Sequence, residues 1–102
     1  MIEHESKKSD SQSLRKDIGI FIRESRISKS LTGAQLGNLL DVSQQQISRY
    51  ENGITSINIE TLDTILQILD IEWSEFYRKV LMVDVTNQMG KNKDSFPFYL
   101  HI

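Results

Sequence analysis

Twenty residues near the middle of the chain, Gly33 to Asn52, constrain the fold more than any other segment. They read GAQLGNLLDVSQQQISRYEN. Leu36, Leu39 and Leu40 form one apolar stretch at helical spacing, Asp41 and Val42 make a turn, and Ile47 and Tyr50 are the inward positions of a second stretch. Helices of about two turns are not stable alone in water, so these two must pack closely against each other and against a scaffold. Close crossing requires a small residue on the first helix, and Gly37 supplies it. Ten positions on, Ile47 offers the branched side chain that fills the space between them, because protein interiors tolerate few voids. Val42 plugs the corner, and Leu36, Leu40 and Tyr50 complete the wedge. Thr32 and Ser43 are N-cap types in front of the two helices, and Asn52-Gly53 stops the second.

The scaffold is legible on both sides of this wedge. Leu14, Ile18, Ile22 and Ile27 run through LRKDIGIFIRESRI and predict a first helix. Asn58 caps IETLDTILQIL, where Leu62, Ile65, Leu66 and Leu69 line one stripe, and a fifth helix is expected from about Glu72 to Met82. The chain is therefore expected to be all-α. Residues 1–12 are polar and read as a mobile arm, and residues 13–82 read as the folded domain. Residues 83–102 end in FPFYLHI, where Pro97 bars a continuing helix; this tail is either a strand or a packed arm, and serves either to cover the domain or to dimerise it.

Composition narrows the chemistry. With 102 residues, 38% hydrophobic and 25% charged, the chain has material for one core. It has no cysteine, and its two histidines, His4 and His101, stand at opposite ends, so thiol nucleophiles, disulfides and thiolate metal sites are excluded. Neither a phosphate loop nor a His-Glu metal motif is present, and no catalysis, cofactor or metal is expected. No apolar run is long enough to span a membrane and the start, Met1 to Asp10, is polar, so a cytoplasmic location is expected. The net charge of −2 argues against a strong phosphate grip, yet the acid is unevenly placed. Residues 1–52 carry eight basic and seven acidic side chains, whereas residues 53–82 carry two basic and five acidic.

The second helix of the wedge has an outer side made of Gln44, Gln45, Ser48, Arg49 and Asn52. Gln pairs bidentately with adenine N6/N7 and Arg with guanine O6/N7, so the set suits the major groove of double-stranded DNA. A solvated helix face is the plainer use of three successive glutamines, since Gln is a good helix former. Set inside a helix-turn-helix wedge, the DNA-reading use takes precedence.

From Ile18 to Phe76 the sequence resembles the phage Cro/repressor-type (Xre) helix-turn-helix family, whose domain is a five-helix, lambda-repressor-like bundle. IGIFIRESR, LTGAQLGNLLDVSQQQISRYENG and LDTILQILDIEWSEFY carry the resemblance, with Ser43, Ile47, Ser48, Glu51 and Gly53 in a specific spacing. More narrowly, SQQQISRYENG resembles the recognition helix of MrpJ-type regulators encoded with fimbrial operons, which repress flagellar genes and influence fimbrial expression. The resemblance implies base contacts by Gln44, Gln45 and Arg49, and base or backbone contacts by Ser43, Gln46 and Ser48. It implies phosphate contacts by Thr32, Asn52, Thr55, Ser56 and Asn58, and a structural ion pair between Arg26 and Glu51. The family's usual Gln at the start of the second helix is Gly33 here, so its phosphate contact is absent or passes to Gln35. The usual turn Gly is Asp41, and a frequent Pro before the fourth helix is Ile57.

One reading helix makes too few contacts for specific binding, so a homodimer on an inverted-repeat operator is expected, with Trp73, Tyr77 and Phe96 as anchors. The rival is a protein-binding helical module of the antitoxin or anti-regulator kind, because the apolar end of the chain exceeds what one small core can bury. No polar cluster suggests a small-molecule ligand.

Overall fold

The computed structural model describes residues 2–82, and these are helical and connecting segments without strands. The elements are α1 (Ile2–Ser28), α2 (Gly33–Leu40), α3 (Gln44–Glu51), α4 (Ile59–Ile68) and α5 (Trp73–Phe76), the last continuing as a π-helical turn over Tyr77–Leu81. The all-α, five-helix expectation is met. The tail, with Phe96, lies outside the described residues.

The starts of α2, α3 and α4 follow from their cap residues. Thr32 Oγ1 accepts from the Gln35 amide (3.0 Å) while Gln35 Oε1 accepts from the Thr32 amide (2.8 Å), a complete capping box. Ser43 Oγ accepts from the Gln46 amide (3.1 Å) and Asn58 Oδ1 from the Thr61 amide (2.7 Å). The stops share one device. In each, a residue in the left-handed region is followed by an aliphatic residue whose amide reaches back five positions. Ser30, Asp41, Gly53 and Asp70 have φ of 61°, 63°, 69° and 58°. The amides of Leu31, Val42, Ile54 and Ile71 donate to the carbonyls of Arg26, Gly37, Arg49 and Leu66 at 3.1, 2.8, 2.9 and 2.8 Å. Leu31, Val42 and Ile71 also pack on the core, so three of the four stops are fastened by an apolar contact, whereas Ile54 after Gly53 is exposed. Asp41 thus occupies the left-handed turn position despite its side chain, which costs about 1–2 kcal/mol relative to glycine.

Phe21, Ile22, Leu36, Ile47, Leu62, Ile65, Leu66, Leu69, Phe76 and Val80 make up the core. Phe21 meets Phe76 edge to face at 5.4 Å, joining α1 to α5. Three expected apolar positions are instead exposed: Leu14, Ile27 and Leu39. Ile27 stands five residues after Ile22, a spacing that turns it off the buried stripe, and the stripe of α1 is Ile18, Phe21 and Ile22. Ile57, in place of proline, packs on the core.

Two differences from the sequence expectation concern the ends. The helix of α1 begins at Ile2, so residues 2–12, expected as an arm, belong to it; lack of an apolar face does not stop a helix, and no Gly or Pro occurs before Gly19. The fifth helix does not run unbroken from Glu72 to Met82. Its second half is π-helical, closed by the Met82 amide on the Tyr77 carbonyl.

Two glycines let backbones touch. A Cβ on Gly37 would lie 2.7 Å from the Val42 carbonyl oxygen, and a Cβ on Gly19 would lie 2.6 Å from that of Tyr50 and closer still to that of Glu51. At Gly33 a Cβ would make only ordinary contact, 3.6 Å from Gln44 Cγ. Gly19→Ala should therefore destabilise by about 1–3 kcal/mol in urea unfolding, since α1 must retreat from α3. Gly33→Ala should leave stability unchanged or raise it by about 0.5 kcal/mol.

Candidate nucleic-acid interface

The residues of α3 divide between two environments. Ile47 and Glu51 are buried, Gln46 and Tyr50 are half-buried, and Gln44, Gln45, Ser48, Arg49 and Asn52 are exposed together with the cap Ser43. The outer face is therefore the one expected, Gln44, Gln45, Ser48, Arg49 and Asn52, and Gln46, given by the resemblance as a base or backbone contact, is only half-exposed. Exposure on one side and apolar contact on the other follow from the 3.6-residue period acting on this sequence.

A bidentate ion pair holds α3 in place. Arg26 Nε donates to Glu51 Oε2 at 2.6 Å and Nη2 to Oε1 at 3.0 Å, while Nη1 donates to the Leu31 carbonyl at 2.7 Å. One guanidinium thereby fastens the end of α1, the connection to α2 and the last turn of α3. Both side chains are largely enclosed, at 12% and 6% exposure, so each charge depends on the other for its solvation. The hydrogen bond that the guanidinium donates to the Glu51 carboxylate holds Arg26 above its usual pKa. Because that shift is upward, its contribution is present below the unfolded-state value of the guanidinium and is lost only as pH rises through the higher folded value.

The other candidates fall into two groups. Arg23 and Arg26 of α1, Gly33 of α2, Gln44 and Ser48 of α3 and the capping Asn52 line one concavity of about 420 Å³, together with the buried Glu51 and Ile47. Thr55, half-buried, and the exposed Ser56 and Asn58 follow α3 and do not line it. Thr32 and Gln35 stay at the exposed start of α2 with their side-chain oxygens engaged in the capping box. Asn52 Nδ2 donates to the Ser48 carbonyl (2.9 Å) and to Ser48 Oγ (3.2 Å). Its amide donors are thus held within α3, and a phosphate contact by Asn52 has to displace one of them. Arg23 was not among the sequence candidates; its signal was its place three residues before Arg26, on the same helical face.

At the far end, Trp73 and Tyr77 are 39% and 40% exposed. The Trp73 indole donates to Asp63 Oδ1 at 2.7 Å and its ring meets Phe76 edge to face at 5.5 Å, so this aromatic surface is oriented rather than loose. Among the described residues, no helix is long and apolar enough to cross a membrane and no acidic or histidine cluster could hold a metal.

Two short helices wedged at a left-handed turn, the second with a polar outer face, define a helix-turn-helix domain. The helix-turn-helix family matches residues 22–76, more than half of the chain, and the chain belongs to it. Among curated relatives, the antitoxin PezA of Streptococcus pneumoniae is 25% identical over 87 residues, covering 74% of this chain and 55% of that protein. An uncharacterised HTH-type transcriptional regulator of Rickettsia conorii is 35% identical over 60 residues, covering 59% of this chain and 48% of the relative. The chain spans about half the length of these relatives. Crystal structures of the clp gene regulator ClgR of Corynebacterium glutamicum share the fold, at TM-scores of 0.63 and 0.65 and identities of 24% and 19%. They cover 67% and 86% of this chain and 87% and 94% of the ClgR chains.

Arg26→Ala strands the Glu51 carboxylate and should cost about 2–4 kcal/mol in urea unfolding. A double variant, Arg26→Met with Glu51→Leu, removes both charges at once and should recover at least half of that loss.

Proposed function

We propose that the chain is a sequence-specific, double-stranded DNA-binding transcription regulator. The observation that carries this reading is the exposed face of Gln44, Gln45, Ser48 and Arg49 on a helix whose opposite side is locked to α1 by Arg26 and Glu51. A recognition face needs donors and acceptors in a fixed frame, and phosphate partners to set its register. Thr32 and the start of α2 flank α3 on one side, and Thr55, Ser56 and Asn58 follow it on the other. Family membership and the relatives named as transcriptional regulators support the same use. The reading assigns the protein no catalytic step and places it in the cytoplasm with its DNA. Its narrower form, repression of flagellar genes with effects on fimbrial expression, rests on the MrpJ-like segment SQQQISRYENG.

The proposed assembly is a homodimer, with Trp73 and Tyr77 in the contact and the tail bearing Phe96 added to it. Two reading helices about 34 Å apart then meet half-sites of an inverted repeat one turn apart. A second reading is favoured by the similarity to an antitoxin over 74% of the chain. In it, the exposed aromatic end binds a different protein.

Arg49→Ala should cost about 1–3 kcal/mol on the cognate duplex and relax preference at one G·C pair, measured by competition with duplexes varied base by base. An Arg49→Ala protein that dimerises and keeps every base preference would remove Arg49 from the reading face. Sedimentation at micromolar concentration should show a dimer; Trp73→Ala with Tyr77→Ala should shift it toward monomer. A monomer both free and on DNA would refute the assembly.

A further inference from the structure

The concavity between α1 and α3 carries a charge that the contacts so far do not use. Arg26 spends Nε, Nη1 and Nη2 on Glu51 and Leu31, and Glu51 is neutralised by the same pair. Arg23, exposed and one helical turn earlier, makes no ion pair or side-chain hydrogen bond among the described residues. The wall therefore has a net positive charge supplied by Arg23. Opposite it, Ser48 Oγ already accepts from Asn52, which directs the remaining hydroxyl hydrogen elsewhere. Gly33 adds no side chain to the mouth, and no free carboxylate lines the surface. A wall on which the Arg23 guanidinium, the Ser48 hydroxyl and the Gln44 amide all have donors to offer, with no unpaired carboxylate, selects an anion with several oxygens.

We propose that Arg23 forms, with the Ser48 hydroxyl, a seat for one phosphodiester group of the DNA backbone. The inference rests on α3 being the DNA-reading helix. The planar guanidinium fork matches the two non-bridging oxygens, and Ser48 reaches the same group from α3. Arg23 thereby anchors the duplex from α1, on an element that holds none of the base-reading residues, and fixes how far α3 enters the groove. It adds grip without adding sequence preference, which suits a chain of net charge −2.

The test is the salt dependence of duplex affinity for the full chain as wild type, Arg23→Gln, Arg23→Lys and Lys79→Gln. Lys79 is a control because it pairs with Glu75 and does not line the concavity. One phosphate contact contributes about 0.9 to the slope of log affinity against log salt. Arg23→Gln should lower the slope by about that amount and weaken cognate and random duplexes by the same factor. Arg23→Lys should restore the slope, and Lys79→Gln should leave it unchanged. Urea midpoints confirm that each variant is folded. Inorganic phosphate replacing chloride at equal ionic strength is the second probe, and affinity should stay within about twofold of the chloride value. A drop to the Arg23→Gln level would make free phosphate the occupant and overturn the assignment. So would an unchanged slope in Arg23→Gln, an equal loss in Lys79→Gln, or an altered base preference. A wild-type chain that binds no duplex overturns the DNA reading itself, and is told apart from an intact complex with an unchanged slope, which overturns the seat alone.

Discussion

The presentation of α3 depends on the Arg26–Glu51 pair. Three hydrogen bonds from one guanidinium join the end of α1 to the α1–α2 connection and to α3, and Glu51, the acceptor in α3, is also one of the residues whose carbonyl Gly19 lets α1 approach. The two features act together. The glycine sets the distance between the helices, and the ion pair sets their rotation, because a bidentate fork is satisfied in a single orientation. Removing two charges from water is expensive, so much of the stability lost with one partner is recovered when both are replaced by apolar side chains. What the charged pair contributes is direction: the outer side of α3 is fixed, and with it the positions of Gln44, Gln45 and Arg49.

The helix stops serve the same end by different means. A helix of eight residues has little stability of its own, so its position must be set at both ends. Each of α2 and α3 has a hydrogen-bonded side-chain cap at its start and a left-handed residue with a reach-back amide at its end. The cost of left-handed Ser30, Asp41 and Asp70 is offset by the returned carbonyl bonds and by burial of Leu31, Val42 and Ile71. The wedge is thus fixed at both ends of each short helix, and under the proposed function little ordering remains to oppose binding.

These devices also explain what the sequence disclosed. Thr32, Ser43 and Asn58 are cap types, so the starts of α2, α3 and α4 were legible, and the polar face of α3 followed from helical period. Gly37 was recognisable because a known close approach demanded it. Gly19 was not, because nothing local in α1 requires a small residue; the demand comes from α3, thirty residues away. Of the four stops, glycine marks one; Ser30 and Asp70 are residue types that occur anywhere on a surface. The π-helical turn in the last element has no residue signature, and the helical course of residues 2–12 has no apolar stripe in the sequence to announce it. At the site, the face was legible but its internal bonds were not. The commitment of Asn52 to Ser48, and the place of Arg23 on the α1 wall, depend on side-chain positions that spacing does not specify.

The central claim is that the outer face of α3, framed by the start of α2 and the segment after α3, is the surface that meets DNA. Amide and arginine side-chain NMR resonances recorded during titration with a duplex test it most directly, since they report on every surface at once. The account predicts shifts concentrated at residues 32–35, 43–49 and 53–58 and at the Arg23 side chain. Shifts confined to the Trp73–Leu81 end, or none at saturating duplex and low salt, would contradict it.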